Sequence, residues 1–314
     1  MIKVGVIGVG HLGNIHLNLL KTSSKFDLIG YNDLVKNKKN FDIEYYDEID
    51  RIILASEALF ICTNTPNHFS IAKKCIKSNK HVFIEKPVTT TVKQAEELLK
   101  LSKKYNVIGQ VGHVERFNPA FSSLNNVIKD PKFIECHRLA EFNPRGNDVS
   151  VILDLMIHDI DIVLSIVNSN VKDIKANGVC VINNTPDICN ARVEFENGCI
   201  VNFTASRISL KNMRKSRFFQ KDAYISVDFH KRKTEVVKIK DANENHDKYA
   251  MIIENADGVK KEIFYNNPDV KENNAILEEH ENFANSILEN KKPIVTLKDG
   301  LNALKLAQSI LNEL

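Results

Sequence analysis

Short unbroken apolar runs alternate with amphipathic stretches through the first third of the chain. Val4–Ile7, Phe26–Gly30, Ala58–Cys62, His81–Ile84 and Val107–Val111 have the length and β-branched content of buried strands. Between them, Asn14–Leu20, Tyr46–Leu54, Phe69–Ser78 and Thr91–Tyr105 carry the 3.6-residue spacing of helices. Strands alternating with helices predict βαβ units and a parallel sheet. The pattern changes after Phe117-Asn118-Pro119. A strand is predicted over Lys132–Phe142 and a long amphipathic helix over Ser150–Val167. A hairpin follows: Asn190–Glu196, the turn Asn197-Gly198, then Cys199–Ser206. Tyr224–Phe229, Thr234–Ile239, Tyr249–Glu254 and Val259–Tyr265 add strands, with Asp257-Gly258 as another turn. Helices over Glu272–Leu288 and Lys298–Leu311 close the chain. Strands in series predict an α+β domain with a large, mostly antiparallel open sheet and helices on one face. The free face of such a sheet needs a cover, so a homodimer or homotetramer through it is expected.

With 314 residues, 43% hydrophobic and 26% charged, the chain is an ordinary globular protein of about two domains. No apolar run reaches the ~20 residues of a membrane span. The strand-like run beginning at Ile2 leaves no basic segment, apolar core and cleavage site of a secretory signal, so a cytoplasmic protein with no membrane partner is expected. Net charge is +3, divided as +5 over residues 1–118 and −2 over the rest, too mild a bias for a nucleic-acid partner. Cys62, Cys75, Cys136, Cys180, Cys189 and Cys199 form no C-x-x-C pair and read as buried thiols. His68, His113, His137 and His230 lack metal-ligand spacing, so no metal is expected.

The chemistry begins at Gly8-Val9-Gly10-His11-Leu12-Gly13, a G-x-G-x-x-G segment between a predicted strand and helix. Gly8 allows the tight turn, Gly10 the approach of a pyrophosphate, and Gly13 close packing of helix on strand. The helix N-terminus offers free N–H groups to phosphates. Asp33 lies 20 residues beyond Gly13, where a carboxylate takes the adenosine ribose hydroxyls and repels a 2′-phosphate. NAD is therefore expected over NADP, with Lys36, Lys38 and Lys39 softening the preference. Thr63-Asn64-Thr65-Pro66-Asn67-His68 and Glu85-Lys86-Pro87 also fall at carboxyl ends of predicted strands, where such sheets bind ligands. Lys86, followed by a proline that fixes the turn, is expected to point into the cofactor crevice.

In Asp154-Leu155-Met156-Ile157-His158-Asp159-Ile160-Asp161, helical spacing puts Asp154 and His158 on one face and Asp161 close to it. A carboxylate one turn from an imidazole orients it, and the pair can transfer a proton. Capping and surface charge explain the same residues, and Asp159 is expected to be solvated. Among the arginines, whose planar fork suits a diphosphate, Arg116, Arg138 and Arg145 are substrate candidates.

These motifs in this order resemble the Gfo/Idh/MocA family of NAD(P)-dependent sugar and polyol dehydrogenases. The resemblance covers nearly the whole chain. It implies a Rossmann NAD(P)-binding domain over 1–118 and a C-terminal α/β domain over 119–314. It also implies catalytic roles for Lys86, Asp154 and His158, and a cofactor site of Gly8, Gly10, His11, Leu12, Gly13, Asp33, Thr63, Asn64, Thr65, Pro66, His68, Glu85 and Lys86. Where the family reads T-P-N-x-x-H after its third strand, Thr65-Pro66-Asn67 match but Ser70 replaces the histidine, with His68 two residues earlier. The stretches Gly112–Pro119 and Arg145–His158 resemble the branch acting on UDP-sugars, in particular UDP-N-acetylglucosamine 3-dehydrogenases. That implies a nucleotide-sugar substrate contacted by Arg116, Asn118, Arg138, Arg145 and Asp161. A dehydrogenase of a free polyol such as inositol, and a non-catalytic NAD-binding sensor, are the other readings.

Overall fold

The computed structural model describes residues 1–34, 43–124, 126–143, 149–242 and 251–314. The chain opens with β1 (Ile2–Ile7), α1 (His11–Leu20), β2 (Phe26–Asn32), α2 (Ile49–Ala55), β3 (Ala58–Ile61), α3 (Thr65–Lys77), β4 (His81–Glu85), α4 (Val92–Lys104) and β5 (Gly109–Gly112). The strands pair in parallel in the order β2-β1-β3-β4-β5. Because β2 and β3 lie on opposite sides of β1, the chain reverses direction there and leaves a crevice beyond the strand ends. Every residue of β3 is buried, as its unbroken apolar run requires. At α4 the Thr91 hydroxyl accepts the Gln94 N–H and the Gln94 side chain accepts the Thr91 N–H, a reciprocal cap that sets the start of the helix. Helix α2 begins at Ile49, later than the predicted Tyr46. Tyr45 instead bridges Tyr31 in parallel, prolonging the sheet edge.

A 3₁₀ turn (Val114–Phe117) leads to α5 (Pro119–Ser122), β6 (Phe133–Leu139), a π-helical turn (Ile152–Met156), α6 (Ile157–Ile166), β7 (Val171–Val179), β8 (Ile188–Phe195) and β9 (Ile200–Ser206). Then come β10 (Met213–Gln220), β11 (Ala223–Asp228), β12 (Lys233–Asp241), β13 (Met251–Glu254) and β14 (Lys260–Tyr265). These nine strands form one sheet, ordered β13-β14-β12-β11-β10-β6-β9-β8-β7. Only β6 and β9 pair in parallel. Along β6 and β8 buried and more exposed residues alternate, so one face carries the core. The turn at Asn197-Gly198 places Gly198 at φ +81°, a conformation that needs glycine. The predicted helix over Ser150–Val167 is a π turn followed by α6, not one regular helix.

The last helices are α7 (Ala275–Leu288) and α8 (Leu297–Asn312). The described residues fall into two units: Met1–Phe117 with Asn273–Leu306, and Asn118–Glu272 with Ala307–Leu314. A single cut after residue 118 does not anticipate this return of the chain. Its cause is apolar: Phe283 of α7 is fully buried, with its ring 5.7 Å from Phe60 of β3 and 6.0 Å from Phe83 of β4. Burying one such ring contributes about 1.5–3 kcal/mol. The cysteines are free thiols; Cys180 is exposed and Cys62 half-buried, contrary to the expectation that all six are buried.

Candidate active site

The first unit holds a nucleotide cradle. Gly8 sits at φ +87°, and a Cβ there would lie 2.8 Å from the Thr63 nitrogen. A Cβ on Gly13 would lie 1.9 Å from the Gly8 carbonyl oxygen, so α1 can pack on the turn only through glycine. Around Gly10, in contrast, a Cβ would meet nothing within 4 Å. Asn14, not singled out from sequence, donates from its side-chain amide to the carbonyls of Val9 (2.6 Å) and Gly10 (2.7 Å) and braces the loop. Asp33 accepts the Val9 N–H at 2.6 Å.

Beside this loop lies a cavity of about 580 Å³ lined by Gly8, Gly10, Asp33, Tyr45, Thr63 and Asn64, among others. Its acidic residue, open glycine and elongated loop fit the adenosine and pyrophosphate of a dinucleotide. His11, Leu12, Gly13, Thr65, Pro66, His68, Glu85 and Lys86 are not among its lining residues. Lys36, Lys38 and Lys39 lie outside the described residues.

His68 is buried, and its Nε2 and Nδ1 lie 2.9 and 3.0 Å from the carbonyl oxygens of Thr63 and Pro87. It therefore ties the loop after β3 to the Lys86-Pro87 turn. Burial pushes its pKa down, against the pull of the two carbonyls. Lys86 is half-buried at the end of β4. Glu85 beside it is 8% exposed and accepts the Lys86 N–H at 3.1 Å and a hydrogen bond from His16 Nε2 at 2.8 Å. Burial alone raises this carboxyl, but the His16 hydrogen bond and the His16 and Lys86 charges outweigh it and hold it below the ordinary range.

In the second unit, Asp154 lies in the π turn and His158 in the first turn of α6, both half-buried. A π turn interrupting a helix is a frequent mark of a functional segment. Asp159 is not solvated. It is 1% exposed and receives Arg138 of β6 in a two-point ion pair, Nε–Oδ2 3.0 Å and Nη2–Oδ1 2.8 Å. A charge in the core needs such a partner. Sequence assigned Arg138 to the substrate; here its fork grips Asp159 and its guanidinium lies 5.9 Å from the Phe229 ring centre. Asn118, also assigned to the substrate, caps α5 by accepting the Ala120 N–H and donates to the Phe229 carbonyl. Asp161 is 1% exposed. Arg116, in the first unit, is 3.8 Å from Asp299, and Arg145 lies outside the described residues.

The glycine cradle and the parallel sheet agree with the family comparisons. The profile of an oxidoreductase family with an NAD-binding Rossmann fold, GFO_IDH_MocA, matches residues 2–113, and that of the family's C-terminal alpha/beta domain matches residues 124–313. The chain belongs to this family. Its members similar to this chain include the UDP-N-acetylglucosamine 3-dehydrogenase of Acidithiobacillus ferrooxidans, 33% identical over 233 residues, 72% of this chain and 74% of that protein. The solved structure of that organism's UDP-N-acetylglucosamine 3-dehydrogenase GnnA aligns with a TM-score of 0.87 at 27% identity, covering 100% of this chain and 97% of the other. The myo-inositol 2-dehydrogenase of Thermotoga maritima is 27% identical over 197 residues, 57% of this chain and 59% of that protein. The chain is thus an oxidoreductase with a Rossmann NAD-binding unit and an α/β unit built on a mostly antiparallel sheet. Among the described residues no helix is long and apolar enough to cross a membrane.

Proposed function

We propose that this chain is an NAD-dependent dehydrogenase that oxidises a secondary hydroxyl of a UDP-linked sugar, with UDP-N-acetylglucosamine as substrate. The similarity to a UDP-N-acetylglucosamine 3-dehydrogenase over 72% of the chain carries this reading. Asp33 in the cavity supports NAD over NADP, because a ribose 2′-phosphate would meet its carboxylate. When bound, NAD supplies the acceptor for the hydride leaving the sugar carbon. His158 takes the hydroxyl proton as general base and Asp154 orients its ring. Lys86 donates a hydrogen bond to the same oxygen and steadies its alkoxide character. Proton transfer of this kind contributes ~10²- to 10⁴-fold. The His158→Asn variant should therefore lose at least about a hundredfold in kcat, measured as NADH absorbance. Near-native turnover would remove His158 from the mechanism.

A free polyol is the second reading, favoured by the inositol dehydrogenase similarity. Arg145 discriminates between the two. On a UDP-sugar, Arg145→Ala raises KM; on inositol, which has no diphosphate, it leaves KM unchanged. The protein acts in the cytoplasm as a homodimer or homotetramer joined through the nine-stranded sheet.

A further inference from the structure

The glycine loop of the first unit is gripped from two sides. On one side the Gly8 N–H donates to the Asn32 carbonyl at 2.8 Å and the Val9 N–H to the Asp33 carboxylate at 2.6 Å. On the other side the Asn14 amide nitrogen lies 2.6 Å from the Val9 carbonyl oxygen and 2.7 Å from that of Gly10. Both carbonyls only accept, so the amide must face them with its nitrogen. The Gly10 carbonyl has a second donor, the Asn14 backbone N–H at 3.0 Å. The Val9 carbonyl takes its hydrogen bond from the Asn14 side chain.

A trans peptide is planar, with its C=O and N–H pointing in opposite directions. Turning the Val9 carbonyl toward Asn14 therefore turns the Gly10 N–H away from Asn14. Turning the Gly10 carbonyl the same way does so for the His11 N–H. Gly10 lines the cavity, and Asn14 is not among its lining residues, so these donors face the cofactor side of the loop. Gly10 is also the cap residue of α1 and brings no side chain to accept the first N–H groups of the helix. Nor does it offer a side chain to resist a flip of either peptide plane. We propose that Asn14 is a positioning residue for the cofactor: its side-chain amide fixes the peptide planes that aim the Gly10 and His11 N–H groups at the pyrophosphate. The Val9–Gly10 plane depends on it more, because the Gly10 carbonyl keeps its backbone donor. This role uses the NAD-binding unit of the family and none of the sugar chemistry.

The test compares ligands with and without phosphate. The full chain and Asn14→Leu, which keeps the volume but has no donor, are titrated with NADH, ADP and adenosine, and the Gly10 and His11 amide resonances are followed in ¹⁵N-labelled protein. In the parent, NADH and ADP move the Gly10 amide proton downfield, as a new hydrogen bond to phosphate does. In Asn14→Leu that shift is lost, and NADH and ADP bind at least about tenfold more weakly. Adenosine, which has no phosphate to meet these N–H groups, binds within about twofold of the parent. Asn14→Asp, isosteric but an acceptor set against two acceptors, loses at least as much NADH affinity as Asn14→Leu. Should Asn14→Leu not fold, Asn14→Ala, well suited to a helix, takes its place. Undiminished NADH affinity in the folded variant overturns the proposal. An equal loss for adenosine also overturns it, because Asn14 would then support the whole site and not the aim of its phosphate donors. Weakened NADH binding with the predicted loss of the Gly10 shift, in a parent that oxidises no sugar, would leave this role standing and reject the substrate assignment alone.

Discussion

Two glycines of one loop should respond to alanine in opposite ways. At Gly13 the added methyl would lie 1.9 Å from the Gly8 oxygen and 2.9 Å from its carbonyl carbon. Ordinary carbon contacts are ~3.5–4.0 Å, so α1 must retreat by more than about 1 Å or the turn must open. Forced overpacking of this kind costs about 1–3 kcal/mol. At Gly10 the backbone is at φ −63°, ψ −154°, outside the left-handed region, and the methyl meets no atom within 4 Å. Gly10→Ala should leave stability unchanged or raise it by roughly 0.4–1 kcal/mol, because the unfolded chain loses freedom. The same methyl fills the space where a pyrophosphate approaches, so NADH affinity should fall at least ~10-fold, about 1.4 kcal/mol. Urea unfolding followed by circular dichroism without cofactor gives the stabilities, and titration of NADH fluorescence gives the affinities. Gly10→Ala that binds NADH within twofold of the parent, or that is destabilised as much as Gly13→Ala, refutes the placement of the cofactor on this loop.

Arg138→Met should cost about 3–5 kcal/mol by urea unfolding, because it strands the buried Asp159 carboxylate, and the double variant Arg138→Met/Asp159→Leu should recover most of the loss. Asp33→Ala should narrow the preference for NADH over NADPH in parallel titrations; an unchanged ratio places the discrimination elsewhere. Asp187 is fully buried, which raises its carboxyl, yet the Asn183 amide and the N–H groups of Ile182, Asn183 and Val181 outweigh this and lower it well below the ordinary value. Its folded value lies below the unfolded ~3.9, so its stabilisation is complete above that pH and is lost as pH falls. The stability advantage over Asp187→Asn should accordingly be full at neutral pH and shrink below about pH 4 in urea titrations at stepped pH.

Local patterns were readable where neighbours in sequence are neighbours in space. The strand–glycine loop–helix start, Asp33 at the end of β2 and the Asn197-Gly198 hairpin all rest on spacings of a few residues or one crossover. The features that escaped depend on partners brought from afar. Asp159 looks like a surface acid on its helix until Arg138, 21 residues earlier, arrives from β6. His16 falls beside Leu17 on the buried face of α1, a hint of burial, but its hydrogen-bond partner His280 lies 264 residues away on a helix that returns to the first unit. The π turn preserves the apolar spacing closely enough that helix periodicity does not betray it. Asn118 and Arg138 show the same limit: the cap that Asn118 makes on α5 and the ion pair of Arg138 with Asp159 were not readable from the sequence.

The central claim is tested most directly by incubating the purified protein with NAD⁺ and UDP-N-acetylglucosamine and measuring the mass of the sugar nucleotide. Loss of two hydrogens from the sugar, matched by NADH formed or by reduced cofactor retained on the protein, is the predicted result. An unchanged sugar nucleotide, with inositol oxidised under the same conditions, would contradict the assignment and make the chain a polyol dehydrogenase.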